Sequence, residues 1–150
     1  MKLTVRFRSY RLAMGLLLFC LSSCQSVRLI SSYDEITDKA VTAFQEKVSR
    51  FFIKIDRNLG TENAAYQKNK SFYEDAGVDL NTLQIRTDAI DNNQIVQKQV
   101  AALQQMMQDL EKLHQLGFNS HEELIPLRNG FNSAFTALTK LQLALKRGGK

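Results

Sequence analysis

Residues 32–60 decide the fold, because the apolar residues of SYDEITDKAVTAFQEKVSRFFIKIDRNLG recur at steps of four and three. This spacing places them on one face of an α-helix. Ser32 and Glu35 match the S-x-x-E capping box, so we predict a helix that begins at about Tyr33. Gly60 is a typical residue just after a helix C-terminus. The predicted inward face consists of Ile36, Ala40, Phe44, Val48, Phe51, Ile55 and Leu59.

Two rows of side chains, each with a seven-residue repeat, indicate a second helix over residues 62–90. The rows stay in phase across Gly77, so we predict one helix that is weakened there, since glycine costs about 1 kcal/mol of helix propensity relative to alanine. The alternative is two shorter helices bent at Gly77-Val78. Asn69 and Thr87 lie within the rows, where buried polar residues fix register at some cost in stability. The two rows are Tyr66, Tyr73, Leu80 and Thr87, and Asn69, Ala76, Leu83 and Ile90.

Two more helices are predicted after the turn cluster at residues 91–93. Gly117 ends the third helix, and a second capping box, Ser120 with Glu123, opens the fourth. Pro126 lies one turn further on, so either the first turn is a separate 3₁₀ segment or Pro126 starts the main helix. The third helix carries Val96, Val100, Leu103, Met107, Leu110 and Leu113, and the fourth carries Leu124, Leu127, Phe131, Phe135, Leu138, Leu141 and Leu145.

The four predicted helices make up one domain over residues 33–150, and no segment shows sustained two-residue alternation with β-branched enrichment. Four amphipathic helices joined by loops of about two to four residues must place chain neighbours antiparallel. The predicted fold is therefore all-α, an antiparallel up-down-up-down four-helix bundle. Its short connections also predict low contact order and fast folding.

The N-terminal residues have the order of a secretory signal peptide, with a basic start followed by an apolar run from Leu12 to Leu21. The run is about half as long as the roughly 20 residues that a membrane-spanning helix needs. Residues 21–24, Leu-Ser-Ser-Cys, resemble the lipobox of bacterial lipoproteins. The resemblance implies a signal peptide of residues 1–23, an acylated Cys24 as the first mature residue, and a lipidated tether of residues 24–32. The alternative is an ordinary cleaved signal with an incidental cysteine.

The resemblance to lipoproteins also has implications for location. In enterobacterial lipoproteins an aspartate directly after the cysteine favours retention in the inner membrane, and this chain has Gln25 there. The resemblance therefore implies the periplasmic face of the outer membrane. The Tyr33-Asp34 start, the helical run through Phe72-Tyr73 and the basic tail at residues 146–150 are similar to small helical lipoproteins of Gram-negative bacteria. That similarity supports the location and implies no active site.

Charge and cysteine content narrow the classes of function. Of the 20 basic residues four precede Cys24, whereas all 15 acidic residues follow it, so the mature chain has a net charge of +1. A near-neutral domain lacks the basic footprint that phosphate backbones require, and we predict that it does not bind nucleic acid. Cys20 lies in the discarded segment and Cys24 is the predicted lipid site, so no thiol remains for a disulfide, a metal or a nucleophile.

Glu111 and His114 have the E-x-x-H spacing with which ferritin-like bundles hold a di-iron pair. That site needs the motif on two helices and a glutamate on each of two others, whereas the only other histidine, His121, lies in or just after a loop. We therefore predict no metal and no cofactor, and interpret the pair as solvated near a helix C-terminus, where His114 suits the dipole. Without a nucleophile paired with a base or a phosphate-binding loop, the sequence predicts a protein that is not an enzyme.

Aromatic and methionine residues lie on more than one face of their helices, which is more than one narrow apolar stripe facing the core requires. Phe51 and Phe52 are adjacent, and adjacent helical residues point about 100° apart. Either the stripe is wide and the bundle closely packed, or Phe51, Phe52 and Met106 form a partly exposed surface for a partner or a second copy.

The function that we predict from these observations is a non-catalytic interaction or scaffold module of the cell envelope, anchored to the membrane through Cys24. The alternative is a binder of a small apolar molecule or lipid within the bundle.

Overall fold

The computed structural model describes residues 30–148, and within them it contains α-helices, one 3₁₀ turn and no strand. The all-α prediction is confirmed. The predicted signal peptide, Cys24 and the tether as far as residue 29 lie outside the described residues. None of the described helices is both long and apolar enough to cross a membrane. The elements are α1 (Glu35–Arg57), a 3₁₀ turn (Glu62–Ala64), α2 (Tyr66–Asp88), α3 (Gln94–Leu116) and α4 (His121–Gly148).

The four helices close into a bundle in which each packs against the next and α4 returns to pack against α1. Asp34, at the start of α1, pairs with Arg86 near the end of α2. Asp56, near the end of α1, pairs with Arg128 near the start of α4. These contacts join starts to ends, so neighbouring helices are antiparallel. The predicted up-down-up-down four-helix bundle is confirmed.

The core of the bundle lies on the predicted helical rows, apart from a shift at the start of α1 and another at the end of α3. On α1 the buried row passes through Thr37 and Val41, so Ile36, which is one residue earlier and about 100° away, is exposed. The prediction that Ile36 faces inward is wrong. Asn69 and Thr87 are buried as predicted. The largest fully buried apolar side chains are Phe52, Phe135, Ile55, Leu103, Leu110, Leu124 and Leu138.

The start of α1 differs from the predicted capping box. Asp34 is the N-cap, and its Oδ2 accepts hydrogen bonds from the backbone N of Thr37 at 2.9 Å and from Thr37 Oγ1 at 2.6 Å. The carboxylate of Asp34 also binds Arg86 through two bonds of 2.7 Å. Because Asp34, and not Ser32, accepts the free backbone N–H of Thr37 in the first turn, α1 begins at Glu35.

The second helix is continuous through Gly77, so the prediction of one helix is confirmed there and the alternative of a bend is wrong. The predicted start at residue 62 is wrong, since the helix begins at Tyr66. Ala65 is extended, with φ −69° and ψ 145°, and separates the 3₁₀ turn from α2. The Nδ2 of Asn69 donates to the carbonyl oxygens of Asn63 and Ala65, both at 2.9 Å, and so fastens the turn to the helix.

The fourth helix runs through Pro126 without interruption, so neither predicted alternative for its start is correct. Pro126 is the sixth residue of α4, and it removes one backbone N–H from the second turn while leaving the first turn helical. Glu123 accepts a hydrogen bond of 2.9 Å from the backbone N of Asn119. Glu123 therefore makes the kind of hydrogen bond that the predicted capping box requires, but it binds the backbone N–H of Asn119 and not that of Ser120.

Candidate functional site

The predicted exposed surface at Phe51, Phe52 and Met106 is not present. Phe51 is 4% exposed and Phe52 is 1% exposed, and both belong to the core. Met106 is half-buried, and its Cε lies 3.5 Å from the position of a Cβ built on Gly130. The wide-stripe interpretation is the correct one, because α1 has a neighbour on each flank. Phe51 packs against α2 and Phe52 packs against Phe131 of α4.

An open groove of about 410 Å³ lies between α1 and α2, directly beside Phe51. The rings of Phe51 and Phe72 stack with centroids 3.9 Å apart and planes 8° apart, and both rings contribute to the floor. Ala43 lines the groove further toward the start of α1. Phe72 is half-buried, so part of its ring remains open to solvent. The groove therefore has a small apolar floor.

The rim of this groove is basic. Lys47, Arg50 and Lys54 line it from α1, and Glu46 is the acidic residue among the groove's lining residues. Lys47 Nζ is 2.5 Å from Asp79 of α2, and Arg50 Nη2 is 3.5 Å from Glu46. Lys54 forms no ion pair with another described residue, so the rim keeps a net positive charge.

Asn69 completes the lining of the groove from α2. Its side chain is buried, and its Nδ2 donates both protons to the backbone carbonyls of Asn63 and Ala65. Since a carbonyl can only accept, these two bonds fix which way the amide points. Its Oδ1 has no hydrogen-bond partner among the described residues. A buried acceptor without a donor is costly, so this oxygen is a local source of instability beside the groove.

A buried histidine lies next to the groove. His114 of α3 is 1% exposed, its Nε2 is 2.7 Å from the carbonyl oxygen of Ala64, and its Nδ1 is 2.8 Å from Tyr73 Oη. The carbonyl accepts, so Nε2 carries the proton and Nδ1 of the neutral ring accepts from the Tyr73 hydroxyl. Burial lowers the pKa of His114, partly offset by the bond to Ala64. Burial also raises the pKa of Tyr73. The neutral ring therefore links the 3₁₀ turn to α2 and α3.

The interpretation of Glu111 and His114 as a solvated pair is wrong. The buried row of α3 continues from Leu110 by four residues to His114, whereas Leu113, which the sequence placed inward, is 42% exposed. Glu111 Oε1 accepts a 2.7 Å bond from Tyr66 Oη and does not contact the imidazole. Both ring nitrogens of His114 are occupied by hydrogen bonds, and residues 30–148 contain no cluster of three or more His, Cys, Asp or Glu side chains suited to a metal ion.

Aromatic rings connect the histidine to the groove. His114 stacks on Phe118 with centroids 4.9 Å apart and planes 17° apart. Phe51 lies 5.6 Å from the His114 ring and 5.5 Å from the Tyr73 ring, both in edge-on geometry. Phe51 therefore lines the groove on one side and packs on the histidine cluster on the other. A sequence reading that treats His114 as a surface residue misses this connection.

The other surface features of the described residues are less specific. A second open groove of about 470 Å³ lies along α4, where its lining is polar and mostly uncharged. The carboxylate of Asp56 receives hydrogen bonds from His121 and Arg128, and these lower its pKa. This partly exposed group joins the end of α1 to the start of α4. Neither feature places a nucleophile against a general base.

No protein-family model, curated protein or solved structure matches the chain. The candidate site is therefore defined by its own geometry: the groove between α1 and α2, with its aromatic floor, basic rim and buried amide.

Proposed function

We propose that this protein is a lipid-anchored, non-catalytic interaction module of the cell envelope, held at the periplasmic face of the outer membrane by acyl chains on Cys24. Two or three acyl chains, each worth about 0.8 kcal/mol per buried CH₂, anchor a protein stably. The observation that best supports docking is the groove beside Phe51, which combines an apolar floor with a basic rim on the outer surface of the bundle.

The position of the groove along the bundle is consistent with docking away from the membrane. The chain enters the bundle at the end where Ser31 Oγ donates to Asn93 Oδ1 at 2.9 Å and Asp34 pairs with Arg86. Lys54 is 19 residues after Glu35 on α1. At about 1.5 Å per residue the groove extends to roughly 28 Å from that end. A tether of about eight residues, at most ~3.3–3.6 Å each, adds up to roughly 30 Å of reach.

The alternative of a small apolar ligand inside the bundle has less support. Both grooves described above are on the outer surface, and the positions between the helices are occupied by large side chains such as Phe52, Phe135 and Leu103. A docking surface is therefore the better proposal.

The lipid anchor is tested by mass spectrometry of the mature N-terminus. We expect a diacylglycerol-modified Cys24 as the first residue, and a Cys24→Ala variant that stays uncut or leaves the membrane fraction. An unmodified Cys24 would contradict the anchor.

Docking is tested by crosslinking the lipidated protein in intact cells and identifying partners by mass spectrometry. We expect a reproducible partner in the envelope or a second copy of the chain. A protein that crosslinks to neither, at a crosslinker concentration that captures known envelope complexes, would contradict the interaction function.

A further inference from the structure

We propose that the groove between α1 and α2 binds an acidic segment of a partner protein that carries one aromatic or large aliphatic side chain. This inference rests on the proposed interaction function and adds the chemistry of the partner. The charge of the rim and the shape of the floor each point to such a segment.

The charge of the rim favours an acidic partner. Lys47, Arg50 and Lys54 are three and four residues apart, which places them along one edge of α1 over two turns. Lys47 is paired with Asp79 and Arg50 with Glu46, and both ion pairs are partly open to solvent. Lys54 is left without an acidic partner among the described residues. Complementary charge raises the association rate and excludes basic competitors.

The floor favours one apolar anchor. The volume of the groove, about 410 Å³, is near the lower end of the range for small-ligand sites, roughly 300–1,000 Å³. The exposed part of Phe72, backed by the stacked ring of Phe51, offers a flat face to a single side chain. Aromatic pairs stack or meet edge-to-face with a gain beyond the buried area. A phenylalanine or leucine in the partner therefore fits this floor, while charged side chains beside it reach the rim.

The binding test uses the full chain in phosphatidylcholine nanodiscs and three fluorescein-labelled peptides, Ac-EEFEE-NH₂, Ac-EEAEE-NH₂ and Ac-KKFKK-NH₂. The first peptide has both the anchor and the acidic flanks, and each of the others lacks one of them. We expect fluorescence anisotropy to show that Ac-EEFEE-NH₂ binds at least tenfold more tightly than either control, with affinity that falls as salt is raised. Equal binding of all three peptides would overturn the proposal.

Two double variants locate the site. Arg50→Glu with Lys54→Glu reverses the rim, and we expect it to weaken Ac-EEFEE-NH₂ at least tenfold while circular dichroism stays unchanged. Lys98→Glu with Lys140→Glu makes the same change in net charge on α3 and α4, and we expect less than a twofold effect. If both variants weaken binding equally, the contact is a general charge effect and the groove is not the site.

Other occupants of the groove are outcomes of the same measurements. Dodecanoate that displaces the peptide at equal concentration, with unchanged affinity in the rim variant, would assign the floor to an amphipathic lipid and overturn the proposal. A dimer in analytical ultracentrifugation that the rim variant dissociates would assign the groove to a second copy, which also overturns it. If crosslinking in cells captures a partner equally well with the rim variant, the interaction function stands and the groove proposal fails.

Discussion

The two ends of the bundle are closed by different physical chemistry. At the tether end, Asp34, Arg86, Ser31 and Asn93 join α1 to the turn between α2 and α3 through partly exposed hydrogen bonds and one ion pair. At the aromatic end, the opposite end of the bundle, His114 is buried among Phe51, Tyr73 and Phe118 and holds the 3₁₀ turn. Exposed polar contacts contribute little each, whereas a buried polar group is costly once its partner is lost.

This difference has a functional consequence. The groove floor shares Phe51 with the aromatic end, so the proposed docking surface rests on buried contacts. The tether end is where the proposed lipid anchor would attach, and we expect local changes there to leave the groove unaltered. Substitutions at the two ends should therefore differ in how much stability they cost, in how that cost depends on pH, and in their effect on binding.

The largest expected effect is at the aromatic end. Replacing His114 by alanine leaves Tyr73 Oη without its acceptor and the carbonyl of Ala64 without its donor, and it opens a cavity beside Phe51. We expect the free energy of unfolding, measured by urea denaturation, to fall by about 2–4 kcal/mol.

The other histidine is a matched control for this variant. His121 is largely exposed and contacts Asp56 at the surface, so we expect His121→Ala to cost less than about 1 kcal/mol. If His114→Ala and His121→Ala lower the free energy of unfolding equally, buried polar contacts do not stabilise this bundle more than exposed ones, and the contrast between its two ends is wrong.

The next largest effect is at the tether end. Asp34→Ala removes the N-cap of α1 together with the partner of Arg86, and we expect a loss of about 1–2 kcal/mol in the same measurement. Asp34→Asn keeps a capping oxygen but removes the charge, so it should cost less than half as much. If both variants cost the same, the charge pair with Arg86 and not the cap stabilises this end.

The sequence predicts the two ends with unequal success, for physical reasons. The four helical rows and their order follow from periodicity, because burial of a 3.6-residue stripe is a local property. The sequence does not indicate Asp34 as the cap, because Ser32 and Glu35 match the standard pattern and because the contact with Arg86, which is 52 residues away, is not visible in local spacing. His114 was missed because Leu113 fits the same row at a step of three. Only the presence of Tyr73 and Ala64 across the bundle decides between them.

The groove likewise depends on contacts between helices that the spacing of residues within one helix does not predict. The sequence identifies Phe51 as a residue of interest for binding, but only through the alternative in which it lies on a partly exposed surface, and in the structure it is buried. The stack with Phe72 depends on how α1 and α2 align, which spacing within either helix does not specify. The unpaired Oδ1 of Asn69 likewise follows from the 3₁₀ turn that the periodicity did not predict.

The third prediction separates the two ends by pH. Burial holds the pKa of His114 below its ordinary value of about 6.5, so the unfolded chain binds the proton more readily than the folded one. Its contribution to stability is present above about pH 6.5 and is lost as the pH falls below it. The hydrogen bonds from Arg86 hold the pKa of Asp34 well below its usual range, so that contribution is lost only below about pH 4.

We therefore expect acidification to loosen the aromatic end first. Hydrogen exchange of the Ala65 amide, which bonds to Glu62, should accelerate relative to its intrinsic rate between about pH 6.5 and pH 5. The Thr37 amide, bonded to Asp34, should keep its protection over that interval. A His114→Gln variant has no titrating ring and should lose this pH dependence at Ala65. Simultaneous loss of protection at both amides would mean that the bundle opens as one unit.

The smallest expected effect tests whether the two ends are coupled through α2. Gly77 lies in the middle of this helix, and a Cβ added to it meets no atom within 4 Å. Gly77→Ala should therefore raise the free energy of unfolding by about 0.5–1 kcal/mol, because alanine has the higher helix propensity and restricts the unfolded chain. If α2 transmits stability along its length, the amides of Ala65 and Thr37 will gain protection equally at about pH 7. If only one of them gains, the ends open independently, and a partner bound in the groove would stabilise the aromatic end without tightening the attachment of the tether.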